Sequence, residues 1–148
     1  MPVFVLAIFR AIGQKLENVV KNKSKILLAE SDTPLAMLIV SLLTGAGCDV
    51  VVAPNSQKGI ELAKEARFDL FALDVDLPDM NGFAVCDELK QRHISRNTPI
   101  IFIAGSLCEN DLRRGLELGA SDFITKPFDG EEFVQCLLSH VKQAGVPV

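Results

Sequence analysis

Positive charge is in short supply: 15 Lys and Arg stand against 19 Asp and Glu, giving a formal net charge of -4 and a pI near 5.1. Recognition of a polyanion normally needs clustered cations, so direct nucleic-acid binding is not expected. Cysteine is sparse too. Cys48, Cys86, Cys108 and Cys136 read as dispersed, with no Cys-x-x-Cys pair and no nearby His at metal-ligand spacing, so neither a disulfide framework nor a zinc site is expected, and reduced thiols in a cytoplasmic setting are the simpler reading. Long apolar runs are missing. The stretch Val3 to Phe9 is broken by Arg10, far short of the ~20 residues a membrane span requires. It has neither a positive charge ahead of it nor a small-residue cleavage site behind it, so secretion is not expected. Internal repeats, low-complexity tracts and an interdomain linker are also missing. Among 148 residues, 49% are hydrophobic and 23% charged, which suits one globular domain around one core.

What is present is a regular alternation of apolar runs with amphipathic stretches, the sequence form of repeated β-α units and a parallel sheet. Ile26 to Ala29 reads as a strand covered on both faces. Thr33-Pro34 then predicts an N-cap followed by proline at the first helical position, opening a helix that carries Leu35, Leu38, Ile39, Leu42 and Leu43 at helical spacing. Asp49 to Ala53 is predicted as strand two, Asp69 to Leu73 as strand three, Pro99 to Ile103 as strand four and Phe123-Ile124 as a short strand five. The intervening helices begin at Ser56, read as a cap, and run over Phe83 to Arg92, Glu109 to Leu118 and Glu131 to Lys142. The segment Leu77-Pro78-Asp79-Met80-Asn81-Gly82 is dense in turn formers and reads as a loop.

In an open parallel α/β sheet a ligand site lies beyond the carboxyl ends of the strands. Glu30-Ser31-Asp32 follows strand one, Asp74 follows strand three and Lys126 follows strand five, so residues distant in sequence should converge on one edge. Converging carboxylates suit a hard divalent cation, and a lysine beside them suits a phosphoryl group. Any one strand-end acid, taken alone, is equally well read as a helix cap or a solvated loop residue.

The succession of Glu30-Ser31-Asp32, Phe68 to Asp74, Leu77 to Gly82 and Gly119 to Phe128 resembles the response-regulator receiver domains of two-component signalling. Asp74 and Lys126 stand 52 residues apart, which is the family's spacing. The resemblance covers about residues 24 to 143. It implies a doubly wound five-stranded parallel sheet of the flavodoxin-like receiver fold, in a module that is not itself an enzyme. It further implies that Asp74 is the phosphoacceptor, receiving its phosphoryl group from a sensor histidine kinase or phosphotransfer protein, and that Lys126 pairs with the phosphoryl oxygens. Mg2+ would be held by Glu30, by Asp74 and by the backbone carbonyl of Asp76, with Asp32 a further candidate. The Lys126-Pro127 bond would be cis.

Two positions depart from the family pattern. Ser31 stands where receivers carry a second acid after strand one, which should weaken Mg2+ binding. Ala104 stands where they carry the Thr or Ser that bonds the phosphoryl group and takes part in the switch, and a methyl cannot make that bond. Ser106 is a candidate substitute. Phe123 occupies the place of the switch aromatic and reads equally as an ordinary strand hydrophobe. Two functions therefore stay open: a phosphorylatable switch acting on a downstream protein partner, and a phosphorylation-independent module with receiver fold. A phosphohydrolase reading rests only on Asp74-x-Asp76 and is the weakest.

The division expected is an N-terminal extension over 1–23, the receiver over 24–143 and a tail over 144–148. In the extension Val5, Phe9, Ile12, Leu16 and Val19 or Val20 recur at three- and four-residue steps, predicting an amphipathic helix whose apolar face needs a cover. Its own receiver, a second chain in a homodimer, a partner protein or a membrane surface are the candidate covers.

Overall fold

The continuous apolar runs arise because the central strands are buried on both faces. In the computed structural model, residues 23–92, 94 and 97–145 are described together with residues 5, 7, 8 and 10, and 142–145 by backbone alone. The strands are β1 (Lys25–Ala29), β2 (Asp49–Ala53), β3 (Leu70–Asp74), β4 (Ile100–Ala104) and β5 (Asp122–Thr125), and the helices are α1 (Thr33–Gly45), α2 (Ser56–Glu65), α3 (Gly82–Gln91), α4 (Glu109–Glu117) and α5 (Gly130–Gly145). Successive strand side chains point to opposite faces. Ile26, Leu28, Leu70, Ala72, Ile101 and Ile103 pack with Ile39 and Leu43 of α1 and Phe133 and Leu137 of α5. Leu27, Phe71, Leu73 and Phe102 pack on the other face with Ile60 of α2 and Phe83, Cys86 and Leu89 of α3.

All strands are parallel, in the order β2-β1-β3-β4-β5. This is the doubly wound, flavodoxin-like arrangement that the resemblance implied. The chain steps outward from β1 to β2 and then returns across β1 to β3, so the order reverses between β1 and β3. The crevice for a ligand opens there, at the carboxyl ends of the strands.

Strand and helix bounds differ from the expected ones by a residue or two, and by three at the end of α5, which runs to Gly145 rather than Lys142. The first two caps differ in identity. Asp32 caps α1, its carboxylate accepting from Leu35 N–H, and Thr33 is already helical. Asn55, and not Ser56, caps α2 by accepting from Lys58 N–H. The amphipathic helix expected over 1–23 falls outside the described residues but for 5, 7, 8, 10 and 23, as does the tail 144–148 but for the backbone of 144 and 145. Among the described residues no helix is long and apolar enough to cross a membrane.

Candidate functional site

Asp74 is the last residue of β3 and Glu30 the first after β1, and because these strands are neighbours both carboxylates arrive at the same point of the crevice. Both residues are buried. Lys126 follows β5, held where its N–H donates to the Ala104 carbonyl at 2.8 Å, and the Lys126-Pro127 bond is cis as expected. Its ammonium bridges the two acids, 2.8 Å from Asp74 Oδ2 and 2.9 Å from Glu30 Oε1. The other Asp74 oxygen, Oδ1, accepts from the Asp76 N–H at 2.9 Å.

Two carboxylates beside one ammonium leave the cluster one negative charge in excess, and the acids share the burden unequally. Glu30 is pushed up to about 7, first by burial and then by the adjacent Asp74 carboxylate, against which Lys126 only partly acts. Burial would raise Asp74 as well, but hydrogen bonds from Glu30, Lys126 and the Asp76 N–H outweigh it, and Asp74 titrates below the usual carboxylate range. Lys126 is held above its ordinary value, since both acids outweigh its own desolvation. Glu30 is thus the member of the pair that takes up a proton first as pH falls, and Asp74 is the one that stays charged.

A hard cation suits this donor set. Glu30 Oε1 is buried, and although Lys126 Nζ lies 2.9 Å away, no well-aligned hydrogen bond reaches it. A divalent ion would supply that oxygen with a partner and neutralise the surplus charge. Glu30 and Asp74 are the only two acids so placed among the described residues. Asp32 is not brought to the crevice: it is exposed, its carboxylate is engaged in capping α1, and its N–H donates to Glu30 Oε2 at 3.3 Å. Ser31 is exposed beside it.

Ala104 is buried at the end of β4. Phe123 lies with its ring 5.8 Å from that of Phe102 and pressed against Gly115 of α4, where a Cβ would collide with it. Phe123 therefore packs on the same core cluster that contains Ala104.

Sequence reasoning missed two positioning residues. Asp79, in the loop after β3, accepts from Ser56 N–H at 2.8 Å and Gln57 N–H at 3.0 Å. It thereby ties that loop to the start of α2, which no local pattern announces. Gly82 lies so close to the Asp74 carbonyl that a Cβ there would overlap it, and its own N–H donates to the Val75 carbonyl. One grouping was not anticipated from the dispersed cysteines: Cys136, four residues before His140 on α5, lies beside both His140 and Asp122. The Cys-x-x-x-His spacing was the available signal.

A family model described as "Response regulator receiver domain" matches residues 26–138. The chain is 32% identical over 124 residues to the transcriptional regulatory protein RprY of Bacteroides fragilis, covering 82% of this chain and 52% of that protein. It is 32% identical over 120 residues to the cell cycle response regulator CtrA of Brucella ovis, covering 81% and 51%. The chain thus spans about half the length of the curated relatives it matches. Among solved structures, the non-phosphorylated HemR receiver domain from Leptospira biflexa superposes with a TM-score of 0.76 at 30% identity, covering 85% of this chain and 98% of that one.

Proposed function

The chain belongs to the response regulator receiver domain family of two-component systems, and we propose that within it Asp74 is the residue that takes up the phosphoryl group. Aspartyl phosphate and Mg2+ binding are general properties of that family, whose members are generally signalling modules without enzymatic output and interact with histidine kinases and downstream effectors. The observation that carries the assignment is the three-way contact of Asp74, Glu30 and Lys126 at the strand ends, with Asp74 the acid that stays charged.

A charged carboxylate is the competent nucleophile. Its oxygen attacks phosphorus in line, the bond from phosphorus to the donor's imidazole nitrogen breaks, and the leaving imidazole takes up a proton. The Asp76 N–H, 2.9 Å from Oδ1, fixes the plane of the attacking carboxylate. Lys126 exchanges its pairing with Asp74 Oδ2 for the arriving phosphoryl oxygens. Glu30, Asp74 and the Asp76 carbonyl would hold Mg2+, which supplies positive charge to the transferring oxygens, and Asp32 would join them only by leaving its cap. Ser31 offers a neutral hydroxyl in place of a carboxylate, so affinity for the ion is lowered. The methyl of Ala104 cannot bond a phosphoryl oxygen, so the response at the α4-β5-α5 face relies on Lys126 and Phe123, with Ser106 a substitute donor.

The upstream partner is a sensor histidine kinase or phosphotransfer protein, the downstream partner a protein, and the setting cytoplasmic. Residues 1–23 supply a surface for pairing two chains, supported by their amphipathic spacing alone. The decisive experiment is incubation with acetyl phosphate and Mg2+ followed by intact mass. The native chain should gain one phosphoryl adduct and Asp74→Asn none. An adduct that persists in Asp74→Asn, or a native chain that never gains one, overturns the assignment.

A further inference from the structure

At the opposite end of β5 from Lys126, the structure places three metal-ligating side chains around one point. Asp122 opens β5, and Cys136 and His140, one turn apart on α5, both reach its carboxylate. Cys136 Sγ is 3.4 Å and His140 Nε2 3.1 Å from the same oxygen, Asp122 Oδ2, and all three ligand atoms lie within 4.8 Å of one another. We propose that Asp122, Cys136 and His140 form a binding site for a borderline-soft divalent cation of the zinc type, with water completing the coordination.

The spacing is close to what that ion needs. A tetrahedral zinc ion with Zn–S of about 2.3 Å and Zn–N and Zn–O of about 2.1 Å sets its sulfur and oxygen ligands about 3.6 Å apart and its nitrogen and oxygen ligands about 3.4 Å apart. The distances here are 3.4 and 3.1 Å, so the cluster has only to open slightly to admit the ion. A thiol with an imidazole is a donor pair that Mg2+ and Ca2+ do not favour, which separates this site from the all-oxygen set at Asp74. The carboxylate is also held in place: Asp122 Oδ1 accepts from the Phe123 N–H at 2.8 Å, leaving Oδ2 directed at Cys136 and His140. Such a supporting bond is what orients a ligand. Access is open, since Asp122 is exposed and Cys136 lines a groove of about 300 Å3 that has Asp129 and Glu132 in its wall.

Without the ion the trio is a hydrogen-bonded cluster. Burial first, and then the Asp122 carboxylate, push the Cys136 thiol up to about 11, so it holds its proton and donates it to Oδ2. Binding breaks the S–H bond, forms the metal–sulfur bond and releases that proton to solvent. The ion would cross-link the edge strand β5 to α5.

The test uses the whole chain, Co2+ as the spectroscopic probe and Zn2+ as competitor. One equivalent of Co2+ should produce a thiolate-to-cobalt charge-transfer band that Zn2+ abolishes and excess Mg2+ leaves untouched. Cys136→Ser should remove the band, and His140→Ala should weaken binding by at least the roughly 10–100-fold that loss of a supporting partner costs. Cys108→Ser, which alters the exposed cysteine, should change nothing. Absence of the band in the native chain, its survival in Cys136→Ser or its loss in Cys108→Ser overturns the proposal. X-ray absorption at the zinc edge of the loaded native chain reads the site without any variant: one sulfur neighbour at about 2.3 Å is expected, and a shell with none, or with two, overturns it.

Discussion

Replacing Glu30 with Gln tests the account of the acidic pair most directly. Glu30 rises from its ordinary 4.5 to about 7 through burial and then through Asp74. At about 1.4 kcal/mol per unit, that is about 3 kcal/mol of differential interaction. The sign follows from proton counting. The folded state keeps a proton that the unfolded chain has already released, so stability falls as pH rises from about 4.5 to about 7 and levels off above that. Asp74 acts in the opposite sense in a lower window: its depressed value contributes stability that is lost as pH falls through the acidic range. Gln mimics the protonated Glu30 at every pH. Urea unfolding of both proteins at a series of pH values should therefore give nearly equal stabilities near pH 4.5, with Glu30→Gln gaining on the native chain up to about 3 kcal/mol by about pH 8. Taking the difference between the two proteins at each pH cancels the titrating groups that do not touch Glu30, leaving Glu30 with its neighbours Asp74 and Lys126. If that difference stays within about 0.5 kcal/mol across the range, Glu30 does not carry the proton and the charge assignment at Asp74 fails with it.

Ser31→Asp should tighten Mg2+ binding by about tenfold or more, since one further carboxylate near the cation is worth more than about 1.4 kcal/mol at the effective dielectric of a protein surface; isothermal titration reads it, and equal affinity would clear Ser31 of any part in weak binding. Gly82→Ala should lower stability by about 1–3 kcal/mol in urea unfolding, because the new Cβ meets the Asp74 carbonyl and the strand end must shift; it should slow phosphoryl uptake as well, and an unchanged midpoint would show that the contact relaxes freely. Deletion of residues 1–21 should lower the molar mass measured by light scattering from that of a dimer to that of a monomer, and a native chain that is already monomeric refutes pairing through this segment.

The strands were legible because β1, β3 and β4 are buried on both faces, and only a continuous apolar run such as Ile26 to Ala29 or Ile100 to Ile103 can fill both. The loop over 77–82 was legible from its turn formers. With the receiver resemblance supplying strand order, Asp74, Glu30 and Lys126 could be named before their contacts were seen. Caps were less secure: Asp32-Thr33 and Asn55-Ser56 each offer two eligible neighbours, and the choice depends on which of them bends out of the helix and reaches an N–H. Asp32 shows the consequence, because an acid that sequence could assign to a cation is engaged in capping. Asp79 bonding 23 residues back to Ser56, Gly82 against the Asp74 carbonyl, the proton on Glu30 and the meeting of Asp122 with Cys136 and His140 were decided only by tertiary structure. Hydrophobic period and turn chemistry belong to neighbours along the chain, and so the sequence by itself determines them. A side chain's charge state and ligands depend on what stands within a few ångströms in space, and here that follows from which strands lie side by side.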